Sequence, residues 1–273
     1  MKNYRTCLIL ALVIGICFCF SESALAGKWA IVKIHVDLDF DGNSDWVFNY
    51  INDEYGNLER IRKDLNRDGI IDSIEYYTND TSGYLVEKTF DFDNDGTLDR
   101  CEYYTNNAQG NPVEIRIDNC IDEQIEFYQQ YIYDSGGALT DIVLKDSKGD
   151  TVFRERYIND GDGKKLRSEL DLDDDGTIDS ITYFSYDAEG DLIKDEEDFD
   201  NDGDIDSINT YIYTAGNNRL NWVASDTDAD GNTDKSTSYT WQYYEDPITP
   251  PIDPGAGGDS SSGGCFISTM VIN

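Results

Sequence analysis

An acidic nonapeptide that recurs with a period of 27 residues is the strongest constraint on the fold. It reads DLDFDGNSD over residues 37–45, and the pattern begins again at Asp64, Asp91, Asp171, Asp198 and Asp226. The wide gap after Asp91 is close to three periods. A chain with this repeat builds one supersecondary unit many times, and neighbouring copies together bury a continuous core.

Two degenerate copies fill the wide gap. The copy that begins at Asp118 keeps the phase but has Cys120 at an acid position and Glu123 at the glycine position. The next copy, around Asp146 and Gly149, has lost most of its acids. We therefore expect six intact acidic loops and two degenerate ones.

A second marker with the same period is a turn that follows an aromatic residue. Its first position is held by Asp53, Asp80, Asn107, Asp134, Asp160, Asp187 and Thr214. Glycine follows three residues later in six copies, and Asn217 takes that place in the last. Glycine and asparagine tolerate positive φ, which predicts a tight turn between two strands.

Short strands separate the loops from the turns. Segments such as 73–77, 100–104 and 180–184 are rich in β-branched and aromatic residues, and no window has a helical period. With a first strand at 29–36 and a last at 238–244, about sixteen strands follow. The pattern predicts an all-β fold of tandem 27-residue β-hairpin repeats in an extended antiparallel meander or solenoid-like sheet. The alternative is a closed, propeller-like ring.

An aromatic residue recurs at the fourteenth position of every copy. Adjacent hairpins would bring these rings into one ladder across neighbouring strands. Core packing is the favoured interpretation, and a platform for sugars is the alternative. The positions are Tyr50, Tyr77, Tyr104, Tyr131, Tyr157, Phe184, Tyr211 and Tyr239.

The two ends of the chain differ in composition from the repeats. Residues 1–26 have a basic start, an apolar run over 7–20 and an Ala-Leu-Ala site at 24–26, which predicts a cleaved secretory signal peptide. The repeat domain spans 27–245. Residues 246–264 are rich in proline, then in glycine and serine, which is typical of a linker. A short apolar tail occupies 265–273.

The charge balance excludes several classes of partner and catalyst. The chain has 21 Lys and Arg against 56 Asp and Glu, a formal net charge of -35, and a single histidine, His35. Nucleic acid is an improbable partner because phosphate binding needs basic patches. With a single histidine, most catalytic-triad and zinc sites are excluded. A lone histidine on a strand is more often a surface or packing residue. A cation is the natural partner.

The acidic loop has the chemistry of a calcium site. Carboxylates at positions 1, 3 and 5 surround an ion, glycine at position 6 makes the turn, and position 7 offers its carbonyl. Position 9 is Asp in all six intact copies. Positions 1, 3, 5 and 9 of the six loops hold 23 Asp and one Asn. We expect about six Ca²⁺ ions, and the expected ligands are Asp37, Asp39, Asp41, Asn43 and Asp45; Asp64, Asn66, Asp68, Ile70 and Asp72; Asp91, Asp93, Asp95, Thr97 and Asp99; Asp171, Asp173, Asp175, Thr177 and Asp179; Asp198, Asp200, Asp202, Asp204 and Asp206; Asp226, Asp228, Asp230, Asn232 and Asp234.

These motifs resemble several families of extracellular repeats. The loops resemble EF-hand loops, but the flanks are strands and only Glu75 and Glu102 occupy position 12. They are closer to the calcium loops of FG-GAP and VCBS-type repeats and of thrombospondin type 3 repeats. The hairpins, as in YIYDSGGAL at 131–139, resemble the YD repeats of Rhs-type shells. The resemblance implies a bacterial secreted or surface repeat protein.

Three cysteines remain after signal cleavage, namely Cys101, Cys120 and Cys265. A disulfide between Cys101 and Cys120, in neighbouring copies, is one possibility, because a cross-link could replace the ion of a degenerate loop. The segment around Cys265 resembles the Gly-rich C-F-I-A-T tails of some bacterial secreted proteins, with Ser268 in place of alanine. The alternatives are an anchoring element and a disordered tail.

The sequence favours a secreted, non-enzymatic, calcium-stabilised repeat protein that acts as a surface scaffold or adhesion module. Its expected location is extracellular or on the cell surface, with the periplasm as an alternative, and its partners would be calcium and a cell-surface polysaccharide or protein. The chief alternative is a polysaccharide-active enzyme with structural calcium. A third interpretation is a YD-shell-like component of a toxin system. No catalytic or cofactor-binding residue is predicted.

Overall fold

The computed structural model describes residues 15–18, 28–54, 56–122, 124–214, 219–244 and 266–269. The predicted linker at 246–264 and most of the signal peptide and the C-terminal tail lie outside these ranges, as does the turn residue Asn217. The described residues form strands, loops and turns, and none of them is helical.

The strands are short and evenly spaced. They are β1 (Gly15–Phe18), β2 (Lys28–Asp37), β3 (Trp46–Asn52), β4 (Leu58–Asp64), β5 (Ser73–Asn79), β6 (Leu85–Asp91), β7 (Arg100–Asn106), β8 (Pro112–Asp118), β9 (Ile125–Tyr133), β10 (Leu139–Asp146), β11 (Thr151–Asn159), β12 (Lys165–Asp171), β13 (Ser180–Tyr186), β14 (Leu192–Asp198), β15 (Ser207–Thr214), β16 (Arg219–Asp226), β17 (Lys235–Tyr244) and β18 (Phe266–Thr269). β1 and β18 pair with each other in a separate two-stranded sheet.

The sixteen strands β2–β17 form one closed antiparallel barrel. Each strand pairs with its neighbours in sequence, and β17 closes the barrel by pairing with β2 from Ser236 opposite Asp37 to Tyr244 opposite Lys28. The prediction of an open meander or solenoid-like sheet is therefore wrong. The alternative of a closed ring is consistent with the structure, in which the ring is a barrel. Closure removes the two unpaired edges that an open sheet would expose to other chains.

Alternation along the strands separates a buried face from an outer face. Ile34, Val36, Phe48 and Ile61 pack into one buried cluster, which also touches Tyr50 of the aromatic ladder. Two further clusters form around Leu144 and around Leu220. Tyr104 and Tyr131 contribute to the first of these and Tyr211 and Tyr239 to the second. These four tyrosines therefore pack in the core, as the favoured interpretation of the ladder predicts.

Charged side chains share the buried face with the aromatic residues. Glu75 on β5 forms ion pairs with Lys63 and Lys88, and Tyr77 donates a hydrogen bond to it at 2.5 Å. Glu102 on β7 pairs in the same way with Arg100 and Tyr104. The two Glu residues at loop position 12 therefore point into the barrel wall rather than into a loop. Buried charges of this kind persist because each is paired and hydrogen-bonded.

Hairpin geometry places the two kinds of connection at opposite ends. The tight turns join odd-numbered strands to the even-numbered strands that follow them. In the turn at Asp53, the N–H of Asp53 donates a hydrogen bond to the carbonyl of Asn57, and the N–H of Gly56 donates one to the carbonyl of Asp53. Gly56 has φ of 75°, as the turn requires. The acidic connections join even strands to odd ones, so they all emerge at the other end.

Candidate functional site

The acidic loops form a rim at one end of the barrel, which we call the loop rim. It consists of the connections that follow β2, β4, β6, β8, β12, β14 and β16. The connection after β10 is different, because Asp146 and Asp150 close a tight turn of the kind found at the other end. The degenerate copy around Asp146 has thus lost the loop itself together with its acids.

The first acid of each loop organises the backbone around it. In the loop that follows β6, the carboxylate of Asp91 accepts hydrogen bonds from the N–H groups of Asp95, at 3.1 Å, and Gly96, at 3.0 Å. Asp91 is 2% exposed, whereas the other acids of its loop are exposed. Gly96 has φ of 89°, which only glycine adopts without strain, and this explains the invariant glycine at position 6 of the six loops.

The fifth and ninth acids hold the rest of the loop. Asp95 accepts a hydrogen bond from the N–H of Thr97 at 2.7 Å, and Asp99 accepts one from the N–H of Phe92 at 2.7 Å. The N–H of Asp99 donates to the carbonyl of Phe90, which ties the loop to the end of β6. The same three bonds recur in all six intact loops.

Carboxylates from separate loop positions converge. Each of the following groups has three carboxylate oxygens within 4.8 Å of one another: Asp37, Asp39 and Asp41; Asp91, Asp93 and Asp99; Asp118, Asp122 and Glu126; Asp171, Asp173 and Asp179; Asp198, Asp200 and Asp206. Among these groups, those from four intact loops bring together the carboxylates of positions 1 and 3, and three of the four also include the position 9 acid. Oxygen-only ligand sets of this kind suit a hard cation.

The loop that follows β4 has a buried oxygen without a partner. Asp64 is 7% exposed, and its Oδ2 accepts a hydrogen bond from Gly69 at 3.0 Å, but its Oδ1 has no hydrogen-bond partner. In the other intact loops this oxygen accepts from the N–H of position 5. A buried carboxylate oxygen without a donor is costly, and a cation beside it would remove that cost.

Hydrogen bonding keeps several loop carboxylates ionised. The backbone N–H and the side chain of Asn43 lower the pKa of Asp41, and those of Thr177 lower the pKa of Asp175. The backbone and hydroxyl of Thr227 lower the pKa of Asp234 in the same way. These three carboxylates are therefore anionic at neutral pH.

The degenerate loop after β8 retains more of the site than its sequence indicated. Asp118, Asp122 and Glu126 stand at positions 1, 5 and 9 and come together, so the register alone could have identified them. Cys120, at position 3, forms a disulfide with Cys101 on β7, with Cα atoms 5.4 Å apart. The left-handed residue also moves, from position 4 in the intact loops to Cys120. A cross-link thus stands where five of the six intact loops carry an acid.

Side chains at position 4 join neighbouring loops into the rim. Asn94 donates to the carbonyl of Ile71 at 2.9 Å, and Asn201 donates to the carbonyl of Ile178 at 3.0 Å. Both donors are left-handed, with φ of 54° and 55°. Asparagine adopts this conformation more readily than most residues, so the position suits it. These bonds join the loop after β6 to the loop after β4, and the loop after β14 to the loop after β12.

His35 lies in a pocket at the seam where β17 meets β2, which we call the seam pocket. Its Nδ1 is hydrogen-bonded to Oγ of Ser44 at 3.1 Å. The pocket has a volume of about 230 Å³ and one carboxylate, Asp37, which belongs to the adjacent loop. Burial, followed by the positive charges of Lys33 and Arg67, lowers the pKa of His35. This pocket could not be predicted from the sequence, because it is formed by residues from the two ends of the repeat domain.

None of the described residues belongs to a helix of the length and apolarity needed to cross a membrane. No family model matches the sequence. No curated protein matches it either.

The fold is similar to that of solved structures at low sequence identity. A porin-like protein from Bacteroides uniformis superposes with a TM-score of 0.51 at 10% identity, over 78% of this chain and 98% of that one. Structures of TcdB2-TccC3-TEV and TcdB2-TccC3 match at 16% and 13% identity, each with a TM-score of 0.32. The matches cover 68% and 69% of this chain but only 10% and 13% of those chains. The first likeness supports the closed all-β fold of the chain.

Proposed function

We propose that this protein is a calcium-stabilised β-barrel that acts as a scaffold or binding module outside the cytoplasm. The observation that carries the proposal is the convergence of carboxylates in the repeated loops of one rim. The loops at Asp37, Asp64, Asp91, Asp171, Asp198 and Asp226 would each hold one ion. The buried, unpartnered Oδ1 of Asp64 supports the same conclusion from an independent direction.

The available ligands favour calcium over magnesium. Every side chain that would face the ion is a carboxylate or an amide, and position 7 adds a backbone carbonyl. Calcium accepts six to eight such oxygens in flexible geometries, whereas magnesium keeps several waters and demands an octahedral site. Extracellular modules bind calcium with dissociation constants of about 10⁻⁴ to 10⁻³ M, which millimolar calcium saturates.

The ions would stabilise the barrel by relieving repulsion within the rim. The intact loops at Asp37, Asp91, Asp171 and Asp198 each place three carboxylates close together, and like charges at this distance oppose each other. A bound cation would replace that repulsion with attraction in each occupied loop. Because ions bind the folded loops and not the unfolded chain, occupancy stabilises the fold by mass action.

The non-enzymatic role is preferred to the polysaccharide-active enzyme. That alternative requires two carboxylates outside the loop register in one cleft. The seam pocket contains one carboxylate, and that residue, Asp37, is in the loop register. The toxin-shell alternative rests only on the YD-like turns of the hairpins.

Calorimetric titration of the chelator-treated protein tests the proposal. We expect uptake of about six Ca²⁺ ions, with much weaker heat from Mg²⁺ at the same concentration. A stoichiometry near zero for Ca²⁺ on a folded protein would refute the metal sites. Equal affinity for both ions would refute the assignment to calcium.

A further inference from the structure

The seam pocket is formed by the first acidic loop, residues 37–45, together with His35 of β2 and two serines of β17. It opens on the face opposite the buried Val36 and Thr237, and its walls include His35, Phe40, Asn43, Ser44, Ser236 and Ser238. Imidazole, amide and hydroxyl groups thus converge in one concave space. A half-open pocket with several convergent hydrogen-bonding groups is a candidate ligand site.

Small side chains on β17 create the space. Ser238 immediately precedes the ladder residue Tyr239. The residues at the same place in other hairpins include Tyr76, Tyr103 and Tyr183, whose rings lie on the outer face of the barrel. Serine in place of tyrosine leaves a depression between β16 and β2, because Trp222, Ser238 and His35 are directly opposite one another on three adjacent strands.

Phe40 departs from the pattern of the loops in a way that builds one wall of the pocket. It occupies position 4, where φ is 54°, and a bulky aromatic residue is strained in this conformation. Asn94 and Asn201 use the same position to bond the preceding loop, which phenylalanine cannot do. The Phe40 ring instead stacks on Trp222, with centroids 6.1 Å apart and planes 22° apart. The Phe40 ring thus forms a wall of the pocket instead of a bond to a neighbouring loop.

We propose that the seam pocket binds a neutral hexose or N-acetylhexosamine residue of a glycan. The aromatic wall offers a flat surface for the apolar face of a pyranose ring, and the serine, asparagine and histidine groups match its hydroxyls as donors and acceptors. Asp37 and the acidic rim disfavour anionic sugars. This inference names a ligand for the binding module proposed above and rests on that role. Asp37 and Asn43 line the pocket and are also expected calcium ligands, so the pocket takes its shape from the calcium-loaded loop.

Titration of the calcium-saturated full protein with the methyl glycosides of glucose, galactose, mannose and N-acetylglucosamine tests the inference. We expect one or more to bind, and we expect Ser238→Tyr and Phe40→Asn each to weaken that binding by about tenfold or more. Ser238→Tyr fills the pocket with a residue that other hairpins carry there. Phe40→Asn introduces the residue that two other loops carry at position 4. Neither change is expected to prevent folding.

A matched control separates the pocket from the outer surface in general. Thr210 precedes the ladder residue Tyr211, as Ser238 precedes Tyr239, so Thr210→Tyr adds the same ring at another hairpin. Binding should stay within about twofold in this variant. Absence of binding to all four glycosides, or binding that Ser238→Tyr and Phe40→Asn leave intact, would overturn the inference. Calcium stoichiometry, measured on the same samples, reports separately on the metal sites.

Discussion

Lys88 and Glu75 form an ion pair inside the barrel wall, with Nζ 3.0 Å from Oε2 and both side chains 4% exposed. The residues are on adjacent strands, and Lys88 also lies over the rings of Tyr77 and Phe90. The pair therefore joins the charged and aromatic parts of the buried face. Its energy depends on both partners, since either charge alone would be buried without compensation.

Lys88→Met should destabilise the protein substantially. Removal of one member of a buried pair typically costs about 3 kcal/mol or more, although Lys63 would still contact Glu75 and reduce the loss. Urea denaturation in saturating calcium measures the free energy of unfolding. Arg62→Met, at an exposed position of β4, is the control and should change it by less than about 0.5 kcal/mol. Equal effects of the two variants would contradict the role of the buried pair.

The contribution of Glu75 should disappear in acid. Burial alone would raise its pKa, but the charges of Lys88 and Lys63 and the hydrogen bonds from Lys63 and Tyr77 lower it to about 2, from 4.5 in the unfolded chain. A lowered folded-state pKa gives stability that is complete above pH 4.5 and is lost as the pH falls toward 2. The difference in unfolding free energy between the wild type and Glu75→Gln should therefore shrink over this interval. A difference independent of pH would contradict the assignment.

A single loop substitution should remove a single ion. Asp95→Ala deletes the position 5 carboxylate of the loop after β6, and the calorimetric stoichiometry should fall by one Ca²⁺, with a lower melting temperature in calcium. Asp162→Ala removes an exposed acid from a tight turn at the opposite end of the barrel and should leave the stoichiometry unchanged. If both variants lost calcium equally, the binding would be diffuse rather than located in the loops.

The disulfide between Cys101 and Cys120 should stabilise the barrel without changing calcium uptake by the six intact loops. Cross-linking residues 19 positions apart restricts the unfolded chain, and its removal costs about 3 kcal/mol in the chain-entropy model. The double variant Cys101→Ser with Cys120→Ser should unfold at lower urea concentration. Unchanged stability would show that the cross-link contributes nothing, and loss of six-ion binding would show that the rim depends on it.

The sequence predicted the local structure well and the long-range structure poorly. Strands such as β5 and β7, the turns at Asp53 and its equivalents, and the acidic loops all follow from a short period, because each depends on residues close in the chain. The pairing of β17 with β2 could not be predicted, because it depends on the twist accumulated over sixteen strands. The seam pocket was missed for the same reason.

The buried face also limited what the sequence could show. In the sequence, nothing distinguishes three charged strand residues from solvent-exposed ones, namely Lys63, Glu75 and Lys88. In the closed barrel their side chains lie on the buried face. The carboxylates of Asp118, Asp122 and Glu126 kept the repeat register, but the cysteine between them pointed to a lost site. Register proved to be a better guide to this loop than residue identity at one position.

The central claim is that calcium in the loop rim stabilises the barrel, and thermal unfolding followed by far-UV circular dichroism tests it most directly. The purified protein would be compared in excess EGTA, in millimolar Ca²⁺ and in millimolar Mg²⁺. The account predicts that calcium raises the melting temperature and increases the ordered β signal, that magnesium does neither to the same extent, and that EGTA reverses the change. Identical spectra and melting temperatures in calcium and EGTA would contradict it.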